Sequence, residues 1–118
     1  MLGRVTRKLN RDSGERKALF RDLVSALITH GRIETTAARA KETKKIADGL
    51  VALALRDDVH ARRQARRLLT DPAVVKRLFA EVAPRYRTRV GRGGYTRVIR
   101  TRARRGDASE MAIVELVS

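Results

Sequence analysis

The residue types that most often carry out catalysis are scarce in this sequence and form no recognisable set. The chain has 118 residues, two histidines and no cysteine. Without cysteine there can be no disulfide, thiol chemistry or zinc–thiolate site. His30 and His60 fall near predicted helix ends, where a cationic or capping role is commoner than catalysis. The sequence therefore predicts a protein that is not an enzyme and uses no cofactor.

Two short segments could bind a small ligand, and each has a simpler interpretation. Asp57 and Asp58 could hold a metal ion, but adjacent acids before a helix are usually caps. The segment Gly91-Arg-Gly-Gly94 matches neither a P-loop nor a dinucleotide fingerprint. Its glycines either let the backbone approach a phosphate or merely turn the chain. We therefore predict no metal site and no small-molecule substrate.

The abundant chemistry is that of arginine. The sequence has 28 Lys and Arg against 13 Asp and Glu, for a net charge of +15, and 22 of the basic residues are arginine. The planar guanidinium fork matches phosphate oxygens and stacks on bases. Codon bias in a GC-rich genome would inflate arginine in the same way, and the sequence leaves both explanations open.

The charge is concentrated in two segments. Residues 1–20 carry six basic and two acidic residues, and residues 84–106 carry nine arginines and no acid. A basic run is often only a solvated face. Nine like charges in 23 residues destabilise a compact state unless something neutralises them, however, and nucleic acid is the commonest polyanion to do so.

The residue types also indicate the kind of nucleic acid. Adenine readout favours Asn or Gln, and this chain has one of each, Asn10 and Gln64. Tyr86 and Tyr95 lie among arginines, where they either stack on bases or pack at a sheet edge; packing is slightly favoured. With few residues for base readout or stacking, the sequence favours recognition of phosphates and of nucleic-acid shape by arginine. This mode of binding suits a structured RNA.

A DNA-binding regulator is the alternative. The predicted helices 59–69 and 72–82 are joined by a tight turn, as in helix-turn-helix proteins. A recognition helix follows the turn, whereas Arg62, Arg63, Arg66 and Arg67 precede it. This arrangement makes the alternative the weaker one.

These residues must be positioned by a small fold of helices followed by strands. Apolar residues at i, i+3, i+4 and i+7 from Phe20 predict a helix that begins at Asp12-Ser13 and ends at Gly31. A short strand, 32–35, precedes a helix capped by Thr36, with an inner stripe of Ala40, Ala47, Leu50 and Ala54. Asp57 and Asp58 end that helix and cap the next, over 59–69.

The last helix and the strands are predicted from proline and from a change of period. Pro72 begins a fourth helix that Pro84 ends. Tyr95–Arg102 alternates, and Met111–Val117 is β-branched and apolar, so both are predicted strands, the second of them buried.

The fold class is α+β, with about four helices, a small sheet of two to three strands and a basic N-terminal arm. We predict one domain over 1–118: an extended basic arm at 1–11, a helical core at 12–83, and a basic loop and C-terminal strands at 84–118. The arm could also mimic an organellar presequence, although Asp12 and Glu15 argue against that. The longest apolar stretch, Leu50–Leu55, is too short to span a membrane.

Seven segments, in order and in spacing, resemble one known family over nearly the whole chain. The segments are Lys8-Leu-Asn-Arg11, Arg16–Arg21, Thr35-Thr36 with Arg39-Ala-Lys-Glu42, Leu78-Phe79 with Ala83-Pro-Arg-Tyr86, Gly93-Gly-Tyr-Thr-Arg97, Arg105-Gly-Asp107 and Val114-Glu-Leu-Val117. Together they resemble the bacterial large-subunit ribosomal protein family "L seventeen".

The resemblance implies a non-enzymatic structural constituent of the large ribosomal subunit, in the cytoplasm, that supports assembly and translation. It implies contacts with large-subunit rRNA through the arm and helices. It also implies ribosomal protein "L thirty-two" and other large-subunit proteins as neighbours, with no membrane partner.

The candidate RNA-binding residues are basic or polar side chains from the arm, the first three helices and the glycine-containing loop with the strand after it. They are Arg4, Arg7, Lys8, Asn10, Arg11, Arg16, Lys17, Arg21, Thr35, Thr36, Arg39, Lys41, Lys44, Lys45, Arg62, Arg63, Arg89, Arg92, Gly94, Tyr95, Arg97 and Arg100.

Overall fold

Four α-helices, three β-strands, a π-helical turn and a 3₁₀-helix make up the regular structure of the residues that can be described. A computed structural model describes residues 13–89 and 94–117. The helices are α1 (Ser13–His30), α2 (Ala37–Arg56), α3 (Val59–Leu69) and α4 (Pro72–Arg77), and the strands are β1 (Arg32–Thr36), β2 (Thr96–Ala103) and β3 (Glu110–Leu116). The α+β prediction is confirmed. The predicted arm and the presequence alternative both fall on residues 1–12, outside the described residues.

The predicted helix boundaries at Gly31 and Thr36 are confirmed. Gly31 takes a φ of +88°, which only glycine adopts without strain, and its N–H donates to the Leu27 carbonyl at 2.8 Å. Thr36 ends β1 and also caps α2, because its Oγ1 accepts from the Arg39 N–H at 3.3 Å. One threonine thus joins the sheet to the longest helix.

The end of the fourth helix differs from its prediction. The α-helix stops at Arg77, and the chain continues through a π-helical turn, Leu78–Val82, into a 3₁₀-helix, Ala83–Arg89. The prediction that Pro84 ends the helix is wrong. Pro84 is the second residue of the 3₁₀-helix, where its missing N–H is not needed and its fixed φ fits helical geometry. The start of the predicted basic loop is therefore helical.

The sheet is antiparallel with the order β1–β3–β2. The central strand pairs on both sides, with Val114 opposite Ile33 of β1 and Val98 of β2. Ala112 and Val114 are fully buried, which confirms that this strand is the buried one. The β2 strand begins at Thr96, one residue later than predicted.

The helix α2 lies between two clusters of apolar side chains. Leu50 and Ala54 belong to a helical cluster, while Ala40 and Ala47 pack with Ala112 and Val114 beneath the sheet. The predicted inner stripe is thus buried along its length. No helix in the described ranges is long and apolar enough to cross a membrane.

Candidate nucleic-acid interface

Carboxylates from other segments neutralise much of the arginine run at 84–106. Each pair joins an arginine of β2, or of the turn after it, to a carboxylate that lies outside residues 84–106. The pairs are Arg97 with Glu115 at 2.5 Å, Arg100 with Glu110 at 3.2 Å, Arg102 with Glu34 at 3.2 Å and Arg104 with Asp107 at 2.6 Å. Four of the nine arginines in this segment are thus paired within the chain, which reduces the repulsion between them.

Glu115 holds a cation on each side of the central strand. The register places it opposite Arg32 of β1 and Arg97 of β2. Arg32 Nε lies 3.9 Å and Arg97 Nε 2.5 Å from its carboxylate oxygens, and the glutamate side chain is only 17% exposed. Both arginines remain largely exposed and use only Nε here, so the two Nη groups of each have no described partner and can bind an anion.

The arginines of α3 have fewer partners. Arg62 pairs with Asp57 at 2.7 Å. Arg63, Arg66 and Arg67 are exposed, and none of them pairs with an acid in the part of the chain that is described. Arg63 lies three residues from Arg66 and four from Arg67, so these side chains are neighbours on the helix surface.

Three further exposed cations, on α4 and the 3₁₀-helix, lack an acidic partner within residues 13–89 and 94–117. We call them, together with the three from α3, the unpaired helical cations: Arg63, Arg66, Arg67, Lys76, Arg85 and Arg87.

A groove between α3 and α4 brings some of these cations together. Arg66 and Lys76 line it with Arg62, above apolar side chains that include Phe79. The Arg62 guanidinium lies 4.7 Å from the centre of the Phe79 ring, a cation–π contact that holds it in place. Arg66 and Lys76 were absent from the predicted site residues, although the i, i+4 spacing of Arg62 and Arg66 was a signal that could have found the former.

The candidates on α1 and α2 are mostly accessible. Lys17 and Lys41 are exposed and have no acidic partner among the described residues, and Arg39 is half-buried and also unpaired. Arg21 and Lys45 have only distant acids, at 4.0 and 3.8 Å. Such exposed contacts leave a cation available to a phosphate.

Four candidates have structural roles instead. Lys44 Nζ donates to Asp48 Oδ2 at 2.7 Å and to the Thr96 carbonyl at 3.1 Å. Thr36 caps α2. Thr35 is buried. Each of these polar groups is thus committed to the fold or removed from the surface.

Tyr95 is the fourth candidate with a structural role, and its burial shows whether its ring is available to stack on a base or packs inside the protein. Its side chain is 2% exposed, and its ring centre lies 5.3 Å from that of Tyr86, which is equally buried. The predicted RNA contact of Tyr95 is corrected accordingly: the ring cannot stack on a base from this position. Packing is the alternative that holds for both tyrosines.

The paired aspartates act as helix-terminal groups. Asp58 Oδ1 accepts from the Ala61 N–H at 2.7 Å, which together with nearby Arg56 holds the pKa of this carboxyl below its ordinary value. Asp57 ends α2 in the left-handed region at φ +50° and pairs with Arg62. No cluster of three potential metal ligands occurs in the described ranges.

The remaining candidates lie largely outside the described residues. Gly94 is described: it is exposed, with a φ of +68°. The side chain of Arg89 is not described. Those wholly outside are Arg4, Arg7, Lys8, Asn10, Arg11 and Arg92.

The helix after the tight turn is poorly suited to reading DNA. It has six residues as α4, and of its two cations Arg77 is engaged: its Nε donates to the Ile28 carbonyl and its Nη1 pairs with Glu81. Only Lys76 stays available. This geometry argues against a recognition helix at that position.

Comparison with known proteins gives a consistent result. A family model described as Ribosomal protein L17 matches residues 19–117. The chain is 57% identical over 110 residues to "Large ribosomal subunit protein bL17" of Symbiobacterium thermophilum, covering 93% of this chain and 96% of the relative. It is 52% identical over 111 residues to the protein of the same description from Clostridium botulinum (strain Loch Maree / Type A3), covering 94% and 96%.

Proposed function

This chain belongs to the ribosomal protein L17 family, and from that premise we propose that it binds large-subunit rRNA through arginine and lysine contacts to phosphates. It is a structural constituent of the large ribosomal subunit and not an enzyme. Its place is in the ribosome, in the cytoplasm, and its partners are rRNA and other ribosomal proteins.

The unpaired helical cations are the observation that supports this mode of binding. Six exposed positive charges without an acid nearby raise the electrostatic energy of the free chain, and phosphates lower it. The described aromatic rings, by contrast, are buried and offer no stacking platform. Phosphate contacts fit this surface better than base stacking does.

We propose that the other candidates with exposed or half-buried cations extend the same interface. On α1 and α2 these are Lys17, Arg21, Arg39, Lys41 and Lys45. Arg97 and Arg100 of β2 contribute through guanidinium N–H groups that their glutamates leave free, and their side chains are 62% and 59% exposed. Arg66 and Lys76 join the set because they line the groove beside Arg62.

Ribosomal protein "L thirty-two" is a proposed neighbour, supported by the family resemblance. A single unfractionated sample tests both contacts. Ultraviolet crosslinking in cells, followed by sequencing of the attached nucleic acid, should recover large-subunit rRNA. Protein crosslinking with mass spectrometry should recover "L thirty-two" among the attached proteins. Recovery of promoter DNA in place of rRNA would contradict the proposal and favour a DNA-binding regulator.

A further inference from the structure

Arg16 on α1 is buried, and two of its three guanidinium nitrogens have no hydrogen-bonding partner among the described residues. Its side chain belongs to a residue that is 4% exposed, and its Nε and Nη2 have no acceptor among the described residues. Its guanidinium makes a cation–π contact with Phe20, whose ring centre lies 5.5 Å from Cζ. A ring face attracts the cation but gives these two N–H groups no oxygen to bind.

Such an arrangement is unfavourable unless a partner arrives. Arginine does not lose its proton in proteins, so burial cannot make it neutral. An unpaired buried cation lowers the stability of the folded state, since neither water nor a carboxylate compensates its charge. Binding of an anion next to this guanidinium would therefore stabilise the folded protein.

The two unsatisfied nitrogens define what kind of anion fits. Nε–H and the nearer N–H of Nη2 lie on one edge of the planar guanidinium and point in parallel. That edge binds two oxygens of a single phosphate or carboxylate in a bidentate manner. This edge of the Arg16 guanidinium can thus bind one phosphate or carboxylate through two hydrogen bonds.

We propose that Arg16 binds one rRNA phosphate, which accepts hydrogen bonds from Nε and Nη2 once RNA binding uncovers this edge of the guanidinium. The inference rests on the proposed function and deepens it by naming a single-phosphate site. Lys17 beside it is exposed and unpaired, and Arg21 lies one turn further along α1 with only a distant acid. This positive surrounding favours a phosphate chain over an isolated carboxylate.

Arg16→Met tests the inference, because methionine is of similar length and carries no charge. Removing an unpaired cation should leave the midpoint of thermal unfolding of the free, full-length protein unchanged or raised. Affinity for large-subunit rRNA, measured by filter binding at fixed salt, should fall about 10- to 100-fold. Arg16→Lys keeps the charge without the fork and should lose about 10-fold. Arg56→Met, at an exposed arginine outside the proposed interface, is the matched control and should lose less than about 3-fold.

Each contrary result has a separate meaning. A fall of several degrees in the midpoint for Arg16→Met would show that the guanidinium has a partner inside the chain and would overturn the inference. So would unchanged rRNA affinity. If the affinity held but large subunits assembled with Arg16→Met lacked one protein, the partner would be a protein carboxylate, again overturning it. Failure of the unmodified protein to bind rRNA would instead overturn the proposed function.

Discussion

One carboxylate oxygen of Asp48 accepts two hydrogen bonds from Thr96, from its backbone N–H at 3.0 Å and from its hydroxyl at 2.8 Å. The other oxygen receives Lys44 Nζ, which also donates to the Thr96 carbonyl. Every polar group of Thr96 is therefore satisfied by two residues one turn apart on α2. This contact fixes the start of β2 against the helix that lies beneath the sheet.

Asp48→Ala should lower the free energy of unfolding by about 2–4 kcal/mol, because it leaves the Lys44 ammonium and two buried Thr96 donors without an acceptor. Urea unfolding measures the change. Asp22→Ala is the matched control, since Asp22 is 79% exposed and 4.0 Å from its partner, and should change stability by less than about 0.5 kcal/mol. Equal effects of the two variants would contradict the role given to Asp48.

Phe79→Ala should lower the free energy of unfolding by about 3–5 kcal/mol, since it opens a cavity beneath Arg62 in the helical cluster. Thermal or urea unfolding measures it. Val59→Ala, at a side chain 66% exposed, should stay within about 0.5 kcal/mol. An unchanged midpoint for Phe79→Ala would show that the π-helical turn does not pack as described.

Tyr95→Leu should act on stability and spare RNA binding. The buried ring packs on Tyr86, so its loss costs about 1–3 kcal/mol of unfolding free energy. Affinity for rRNA, measured where the variant is fully folded, should stay within about 2-fold. A large loss of affinity with unchanged stability would instead show that Tyr95 leaves the core to stack on a base.

The charge surface can be tested with two triple variants that remove equal charge. If about ten phosphates are touched, the unmodified protein should give a log–log salt slope of roughly −7 to −9. Replacing Arg63, Arg66 and Arg67 with Ala should make the slope less steep by about 2. The triple variant of Arg97, Arg100 and Arg102 should change the slope less, since each of these has a carboxylate partner. The reverse order would place the main contact on the sheet.

The cap of α3 should give stability a dependence on acid pH. The pKa of Asp58 in the folded chain is lowered from 3.8 because the Ala61 N–H stabilises the carboxylate. Its contribution is therefore present above that ordinary pKa and is lost as pH falls through the lowered one. Asp58→Asn keeps a capping oxygen without the titrating group, so the unfolding midpoint should fall less between pH 5 and about pH 2. Identical pH profiles would exclude Asp58 as a source.

The helices were predictable because their signals are local. The spacing from Phe20 to Leu27, the cap oxygens of Thr36 and Asp58, and Pro72 at a helix start each act within one or two turns. The 3₁₀-helix that contains Pro84 was not predictable from the sequence, since a proline there is compatible either with the end of one helix or with the first turn of a new one. In the structure a new helix forms, and Val82 and Tyr86 on either side of Pro84 are both buried in the helical cluster.

The electrostatic partners could not be read from the sequence. Arg97 meets Glu115 only because β2 and β3 pair in one register, and Asp48 reaches Thr96 across 48 positions of chain. Counting charges along the sequence places the excess of positive charge on the arginines of β2. In the structure those arginines are paired with glutamates, so more of the unpaired positive charge lies on the helices. The buried Arg16 likewise has no local signature that distinguishes it from Lys17.

The order of the sheet also governs when this protein can fold during its own synthesis. β1 and β2 make their ladder contacts only through β3, which is translated after both of them. While the nascent chain still lacks β3, each outer strand exposes an unpaired edge that could associate with another chain. The helices complete their hydrogen bonds earlier and have no such interval. A chain truncated just before residue 110 would therefore keep the residues of all four helices but could not form this sheet.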